Sequence, residues 1–281
     1  LSIVLTVTKT SYAQPAVPFE ITSQGHIVVK AKINGVEGNF IFDTGAGLTL
    51  VTKNFANKLG TLHKQDGSYT SFRATGEPLT ANLYDVESVA LGSFTEQHAQ
   101  LTIFNVNLGP IDGLISLMSF RKQPFTIDYI HKKIIFETDK SLAAIHKKAH
   151  VVPLQLEISR DKALDVFAYF TVNNKLTLQF LIDSGSGMNI YRLNTRYITP
   201  LGIDTVNATK TTHPSEFNPK VVTAIYNANV QSIVAKSSAA VACQNVKASF
   251  IDGLIYDGVV SLNWIGKQIT FDLKKQEMLV W

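Results

Sequence analysis

The chain is written twice. Residues 40–51 read FIFDTGAGLTLV and residues 180–191 read FLIDSGSGMNIY, so Asp43 and Asp183 occupy equivalent places 140 positions apart. Further along, DGLISLMSFRKQPFTIDYIHKKIIF (residues 112–136) is matched by DGVVSLNWIGKQITFDLKKQEMLVW (residues 257–281) at an offset of 145, with Lys122-Gln123 recurring as Lys267-Gln268. Upstream, VPFE at Val17 pairs with VPLQ at Val152. Anchors in the same order, drifting only by small insertions, mean two copies of one structural unit.

The length of 281 residues suits two modest lobes, each able to bury a core. Between the copies, ETDKSLAAIHKKAHVV (residues 137–152) breaks the strand pattern and carries the lysines of a surface connection. The boundary is expected near residues 140–150, giving lobes over 14–143 and 144–281 after a leader over 1–13.

Each copy reads mostly as strands. GHIVVKAKI, GNFIFD, FTIDY and KKIIFE are short, β-branched or aromatic, and bounded by Gly, Asn or Lys turns. A short helix follows the first acid: Thr52 is placed as N-cap, Phe55, Ala56 and Leu59 share a face, and Gly60 supplies a stop. LNTRYITPLG (residues 193–202) is its weaker counterpart. The expectation is an all-β protein with a few short helices.

The acids pose the chemical question. A carboxylate between apolar runs is costly to keep charged. In both copies the aspartate is followed by a hydroxyl residue and a glycine: Asp43-Thr44-Gly45 and Asp183-Ser184-Gly185. Glycine lets the backbone turn and bring its N–H toward the carboxylate. If a pseudo-twofold brings the copies face to face, the two carboxylates meet and share one proton, because like charges about 3 Å apart cannot both ionise. One is then a base toward water and the other an acid toward a carbonyl oxygen.

These paired D-[TS]-G loops, each followed later by an apolar-apolar loop, resemble the aspartic proteases. The two-copy chain resembles the bilobal pepsin-like form, while the short lobes and DTGA look like retropepsins; the likeness covers nearly all residues after about 17. It implies two similar acid-protease β-barrel lobes related by pseudo-twofold symmetry. Asp43 and Asp183 would hold the nucleophilic water. Thr44 and Ser184 would cross-link the loops beneath them, and Gly45 and Gly185 would offer amides to the carboxylates. Residues 72–79, FRATGEPL, fall where a flap hairpin would close over substrate, with Arg73, Thr75 and Gly76 about its tip. A plain surface hairpin is the alternative there.

Three departures matter. The residue at the flap tyrosine position is Arg73, with Tyr69 and Phe72 nearby. The glycine of the apolar-apolar-glycine loop is replaced by Ser116 and Ser261, whose side chains would either crowd the acid loop or supply an extra hydrogen bond. One residue past each triplet, lobe 1 has Ala46 and lobe 2 has Ser186. In the family a hydroxyl there bonds the outer oxygen of its aspartate, so Asp183 is expected to ionise more readily while Asp43 holds the shared proton.

Other classes find less support. The formal charge of +4 comes from scattered lysines, with no basic stripe interleaved with aromatics for nucleic acid. No run of 18 apolar residues appears, so no membrane span is expected. The single cysteine, Cys243, sits in an apolar segment and reads as a buried inert thiol. GAG and GSG lack the third glycine of a dinucleotide loop. His146 and His150, four apart, lack a third ligand nearby in sequence and read as solvated linker residues, so no metal or other cofactor is expected. LSIVLTVTKTSYA (residues 1–13) resembles the rear of a signal peptide, with Ser11 and Ala13 placed for cleavage, or else a frayed or edge-strand terminus.

The reading is an exported, periplasmic or secreted aspartic endopeptidase, monomeric, taking an extended peptide or protein substrate between its lobes. The rivals are a catalytically silent pepsin-like module that binds peptides or a partner protein, and a dyad serving only self-processing.

Overall fold

The computed structural model describes residues 14–204, 208–215 and 220–281; the leader expected over residues 1–13 lies outside them. The first copy contains β1 (Ala16–Ile21), β2 (Ile27–Ile33), β3 (Val36–Asp43), β4 (Leu50–Thr52), β5 (His63–Lys64) and β6 (Tyr69–Phe72). It continues with β7 (Pro78–Ala81), β8 (Leu83–Leu91), β9 (Phe94–Phe104), β10 (Gly113–Ser116), β11 (Phe125–Asp128) and β12 (Lys133–Phe136). The second contains β13 (His150–Ser159), β14 (Ala163–Val172), β15 (Leu176–Ile182), β16 (Tyr191–Asn194) and β17 (Thr209–Pro214). After these come β18 (Val222–Ala235), β19 (Ser238–Ile251), β20 (Gly258–Val260), β21 (Gln268–Asp272) and β22 (Glu277–Val280). The helices are α1 (Lys53–Lys58), α2 (Asp139–His146) and α3 (Ile198–Leu201), with 3-10 turns at Leu117–Phe120 and Thr195–Tyr197.

The duplication is visible in the pairing. β3 runs parallel to β10, which pairs antiparallel with β4; β15, β20 and β16 repeat this arrangement. β4 beside β9 is likewise repeated by β16 beside β19, both parallel. Alternation along β2 and β14 buries one face of each strand, and Phe40, Phe42, Phe55, Phe170, Phe180 and Phe250 lie fully inside. Burying each such ring stabilises by about 1.5–3 kcal/mol.

The repeated Asp-Gly pair has a physical reason. Asp112 accepts the Asn39 amide at 2.9 Å and Asp257 accepts that of Gln179 at 3.1 Å, each tying β3 or β15 to the strand that supports its acid loop. Any Cβ on Gly113 would lie 2.1 Å from the Leu50 carbonyl oxygen, and one on Gly258 2.2 Å from the Phe180 ring, so both positions require glycine.

The copies share a six-stranded floor, ordered β1, β12, β11, β21, β22, β13. At its centre β11 and β21 run antiparallel with Thr126 opposite Thr270, their hydroxyls 2.7 Å apart, and Phe125 stacks on Phe271. Equivalent residues facing each other mark the pseudo-twofold axis.

The helix after the first acid forms where expected: Thr52 caps α1 by accepting the Phe55 amide, and Phe55 and Ala56 are buried. In the second copy the 3-10 turn and α3 end at Gly202 in the left-handed conformation. Residues 139–146, expected as a surface connection, form α2 instead. A Thr138–Ser141 capping box starts it, and Leu142 and Ile145 pack against Leu279. Among the described residues no helix is long and apolar enough to cross a membrane. Cys243 is half-buried, and burial pushes its thiol up to about 11, leaving it unreactive at neutral pH.

Candidate active site

Each acid stands at the end of an apolar strand whose partner strand holds it in register. Asp43 ends β3 opposite Ser116 of β10, and Asp183 follows β15 with its amide donating to the Val260 carbonyl at 2.9 Å. Beneath them the two hydroxyl residues are exchanged between copies. The Thr44 amide donates to Ser184 Oγ at 3.0 Å and the Ser184 amide to Thr44 Oγ1 at 2.9 Å. Thr44 Oγ1 then donates to the Ile182 carbonyl at 2.6 Å, and Ser184 Oγ to that of Phe42 at 2.7 Å. Both side chains are buried, and each hydroxyl donates one bond and accepts one in place of lost water contacts.

The cross-link brings the carboxyls together. Asp43 is 8% exposed, and its carboxyl lies close enough to that of Asp183 for each to shift the other's pKa. Gly45 donates its amide to Asp43 Oδ1 at 2.9 Å, while its α-carbon packs on Asp183: a Cβ there would lie 2.6 Å from the Asp183 carboxyl carbon. Gly185 mirrors this, with a Cβ position 2.2 Å from the Asp43 carboxyl carbon. The loops are also seated on the opposite copy, Leu164 N–H bonding the Gly47 carbonyl at 3.1 Å and Met188 N–H that of Gln24 at 3.3 Å.

Burial, then the neighbouring Asp183 charge, holds the Asp43 carboxyl well above its usual range, against the opposing amides of Gly45 and Ala46. Burial also raises Asp183, but the Arg192 guanidinium, the bond from Asp43 and the amides of Ser186 and Gly185 pull the other way. The influence that favours an ionised Asp183 is thus a charge from Arg192 together with backbone amides, not the hydroxyl expected from the sequence. The Ser186 hydroxyl does not reach the carboxylate; it donates to the Asp183 backbone carbonyl at 2.8 Å, and the Ser186 amide serves Oδ1 at 3.0 Å.

Ser116 and Ser261 bond rather than crowd. Ser116 Oγ donates to the Gly47 carbonyl at 3.1 Å and accepts the Met118 amide; Ser261 Oγ accepts the Ile190 amide at 2.9 Å and donates to Asn263 Oδ1. Each ties the segment after its acid loop to the strand below.

Residues 72–79 lie in the β6–β7 hairpin, with Gly76 at its turn (φ 81°). The hairpin reaches the second copy: the Ile255 amide donates to the Ala74 carbonyl at 2.9 Å, and the Thr75 carbonyl oxygen and Gly76 lie against Gly253. Arg73 Nη1 donates to Ser215 Oγ at 2.8 Å and lies 3.4 Å from Glu77. Tyr69 is buried at the base under the Arg160 guanidinium. A cavity of about 360 Å³ opens beside the turn, lined by Arg73, Thr75, Arg192, His213, Ile225 and Leu254.

Sequence reasoning missed Arg192, Asp165 and Tyr256. Only the strand register shows the place of Arg192, which pairs with Val259 where lobe 1 pairs Leu50 with Leu114; the ungapped sequence match sets it beside Thr52. Asp165 Oδ1 lies 3.5 Å from the Cβ position of Gly47, and burial, then the charge of Glu157, raises it to about 6. Burial, then the charges of Asp165, Glu157 and Asp183, raises the Tyr256 phenol, keeping it protonated beside Phe167. Neither carries a motif.

Residues 29–118 match the aspartyl protease family. Among solved structures, that titled "Crystal structure of edgp" aligns over 96% of this chain and 95% of its own at a TM-score of 0.52 and 11% identity. Basic 7S globulin from soybean aligns over 94% of both chains at a TM-score of 0.51 and 11% identity. No curated protein matches. At this identity the structural likeness is one of fold.

Proposed function

We propose that this chain, built on the two-lobed plan of the aspartic-protease-like superfamily, is an aspartic endopeptidase. The observation that carries the reading is the reciprocal Thr44–Ser184 cross-link, which sets the buried Asp43 carboxyl against the partly buried Asp183 carboxyl. With one proton between them, Asp183 as carboxylate takes a proton from water and Asp43 as acid protonates the scissile carbonyl oxygen. The resulting tetrahedral diol collapses as the amine leaves with a proton from the dyad. No cofactor is needed for these steps. Substrate would lie extended under the β6–β7 hairpin as an added strand, with one side chain toward the cavity beside Arg192. In this reading the protein acts as a monomer and is exported, which cell fractionation would test.

The test is cleavage of a mixed peptide library across pH by the wild type, Asp43→Asn and Asp183→Asn. The wild type should cut at mildly acidic to neutral pH and both variants should be inactive. Wild type that cuts nothing, or variants that cut equally well, would overturn the reading. Peptide binding without cleavage would favour the silent binding module.

A further inference from the structure

We propose a divalent transition-metal site of zinc's class, remote from the acid dyad, formed by His146, Asp272 and Glu277. His146 ends α2, and the two carboxylates face each other across the β21–β22 ladder, where Asp272 is directly opposite Glu277. One ligand atom from each residue lies within 4.8 Å of the other two.

Three observations point to a cation. First, like charges directly opposite on a ladder repel, and a cation between Asp272 and Glu277 would relieve that repulsion. Second, His146 Nε2 is buried with no hydrogen-bond partner and points at Glu277, 3.4 Å away. That separation is long for a hydrogen bond, but it is about the edge of a tetrahedron whose metal bonds are about 2.0–2.1 Å. Third, the Asp272 side chain is 3% exposed yet poorly satisfied: its contacts are the Lys275 amide at 3.3 Å and the Lys275 ammonium at 3.9 Å.

The pseudo-symmetric counterpart shows what satisfaction looks like. Asp128, at the matching place on β11, accepts the Ile130 and His131 amides, the His131 ring and the Gln268 amide, all within 3.0 Å. Among the described residues, Asp272 has only the longer Lys275 contacts in place of these donors, with His146 and Glu277 beside it. His146, expected as a solvated linker residue beside His150, is directed inward, while His150 is exposed on β13. A neutral imidazole and two carboxylates are a donor set that zinc accepts, with a fourth position left for water. Bound metal would clip the connecting helix to the six-stranded floor.

The test uses the full chain stripped with chelator and titrated with Zn²⁺ by calorimetry and thermal melting, and with Co²⁺ by visible absorption. One Zn²⁺ per chain, a Tm rise of about 5 °C or more near saturation, and tetrahedral Co²⁺ bands are expected. His146→Ala and Glu277→Gln should abolish all three, whereas His150→Ala should retain them. No heat and no Tm shift in the wild type, or undiminished binding in both site variants, would overturn the proposal.

Discussion

Arg192 stands near enough to Asp183 for its charge to oppose the rise that burial imposes on that carboxyl, at a strand position that lobe 1 fills with Leu50. This charge, present in one copy and absent from the other, makes a nearly symmetric dyad unequal. Replacing Arg192 by Gln keeps most of the bulk and removes the charge, so Asp183 should ionise at higher pH. The acidic limb of the pH–rate profile should move upward, while Ser186→Ala, which spares the amide on Oδ1, should leave it in place. A limb that moves in Ser186→Ala and not in Arg192→Gln would reverse the assignment.

Thr44→Val removes the hydroxyl that accepts the Ser184 amide and donates to the Ile182 carbonyl, leaving two buried groups unpaired. Each orphaned group costs about 1–3 kcal/mol. Urea denaturation should show that loss, and peptide cleavage should fall with it because the acids are no longer held in contact. Ser184→Ala should behave alike by symmetry. Stability that drops while turnover is unchanged would mean that the cross-link holds the lobes but does not position the dyad.

The duplication made much of this architecture legible, because matched anchors imply matched strands and a Gly two residues past each acid permits the close approach of the other carboxyl. Thr52 and its cap were readable because N-capping is local chemistry. What stayed hidden depends on distant partners. The α2 segment has only Leu142 and Ile145 to bury, so its lysines dominate the pattern until Leu279 is seen beneath it. The direction of the Ser186 hydroxyl is a rotamer choice between two acceptors on the same residue, which no sequence encodes. Arg192 looks like any surface arginine on a strand until the copies are aligned by register.

Ser116 and Ser261 take the place of glycine by adding bonds, and the two should differ in consequence. Ser116→Ala strands the Met118 amide and leaves the Gly47 carbonyl only its bond from Leu164, whereas Ser261→Ala leaves the Ile190 amide without its hydroxyl acceptor. Each variant should lose about 1–3 kcal/mol of stability. Thermal melts of both, beside Ser116→Gly, check this; an unchanged Tm would show that the hydroxyls contribute nothing net.

The β6–β7 hairpin is held on lobe 2 partly through Glu77, which accepts from Ser215 and lies beside Arg73. Glu77→Ala should loosen the turn without touching the acids. The Ile255 amide, which donates to the Ala74 carbonyl, should then exchange its hydrogen about tenfold faster, and KM should change more than kcat. Unaltered exchange at Ile255 would mean that the side-chain contacts do not hold the hairpin down.

Asp165 carries a stability cost that depends on pH. Burial, then Glu157, raises it to about 6 from an ordinary value of 3.8, so its neutral form is the one the fold favours. The stability allowed by that neutral form is complete below about pH 4 and is lost as pH rises through about 6. Asp165→Asn is neutral throughout and should match the wild type at pH 4 but exceed it at pH 8 by at most about 3 kcal/mol. Urea denaturation at the two pH values measures the difference directly. Equal gaps at both would place the Asp165 carboxylate in a site no less hydrated than the unfolded chain, and Glu157 would then have no electrostatic effect on it.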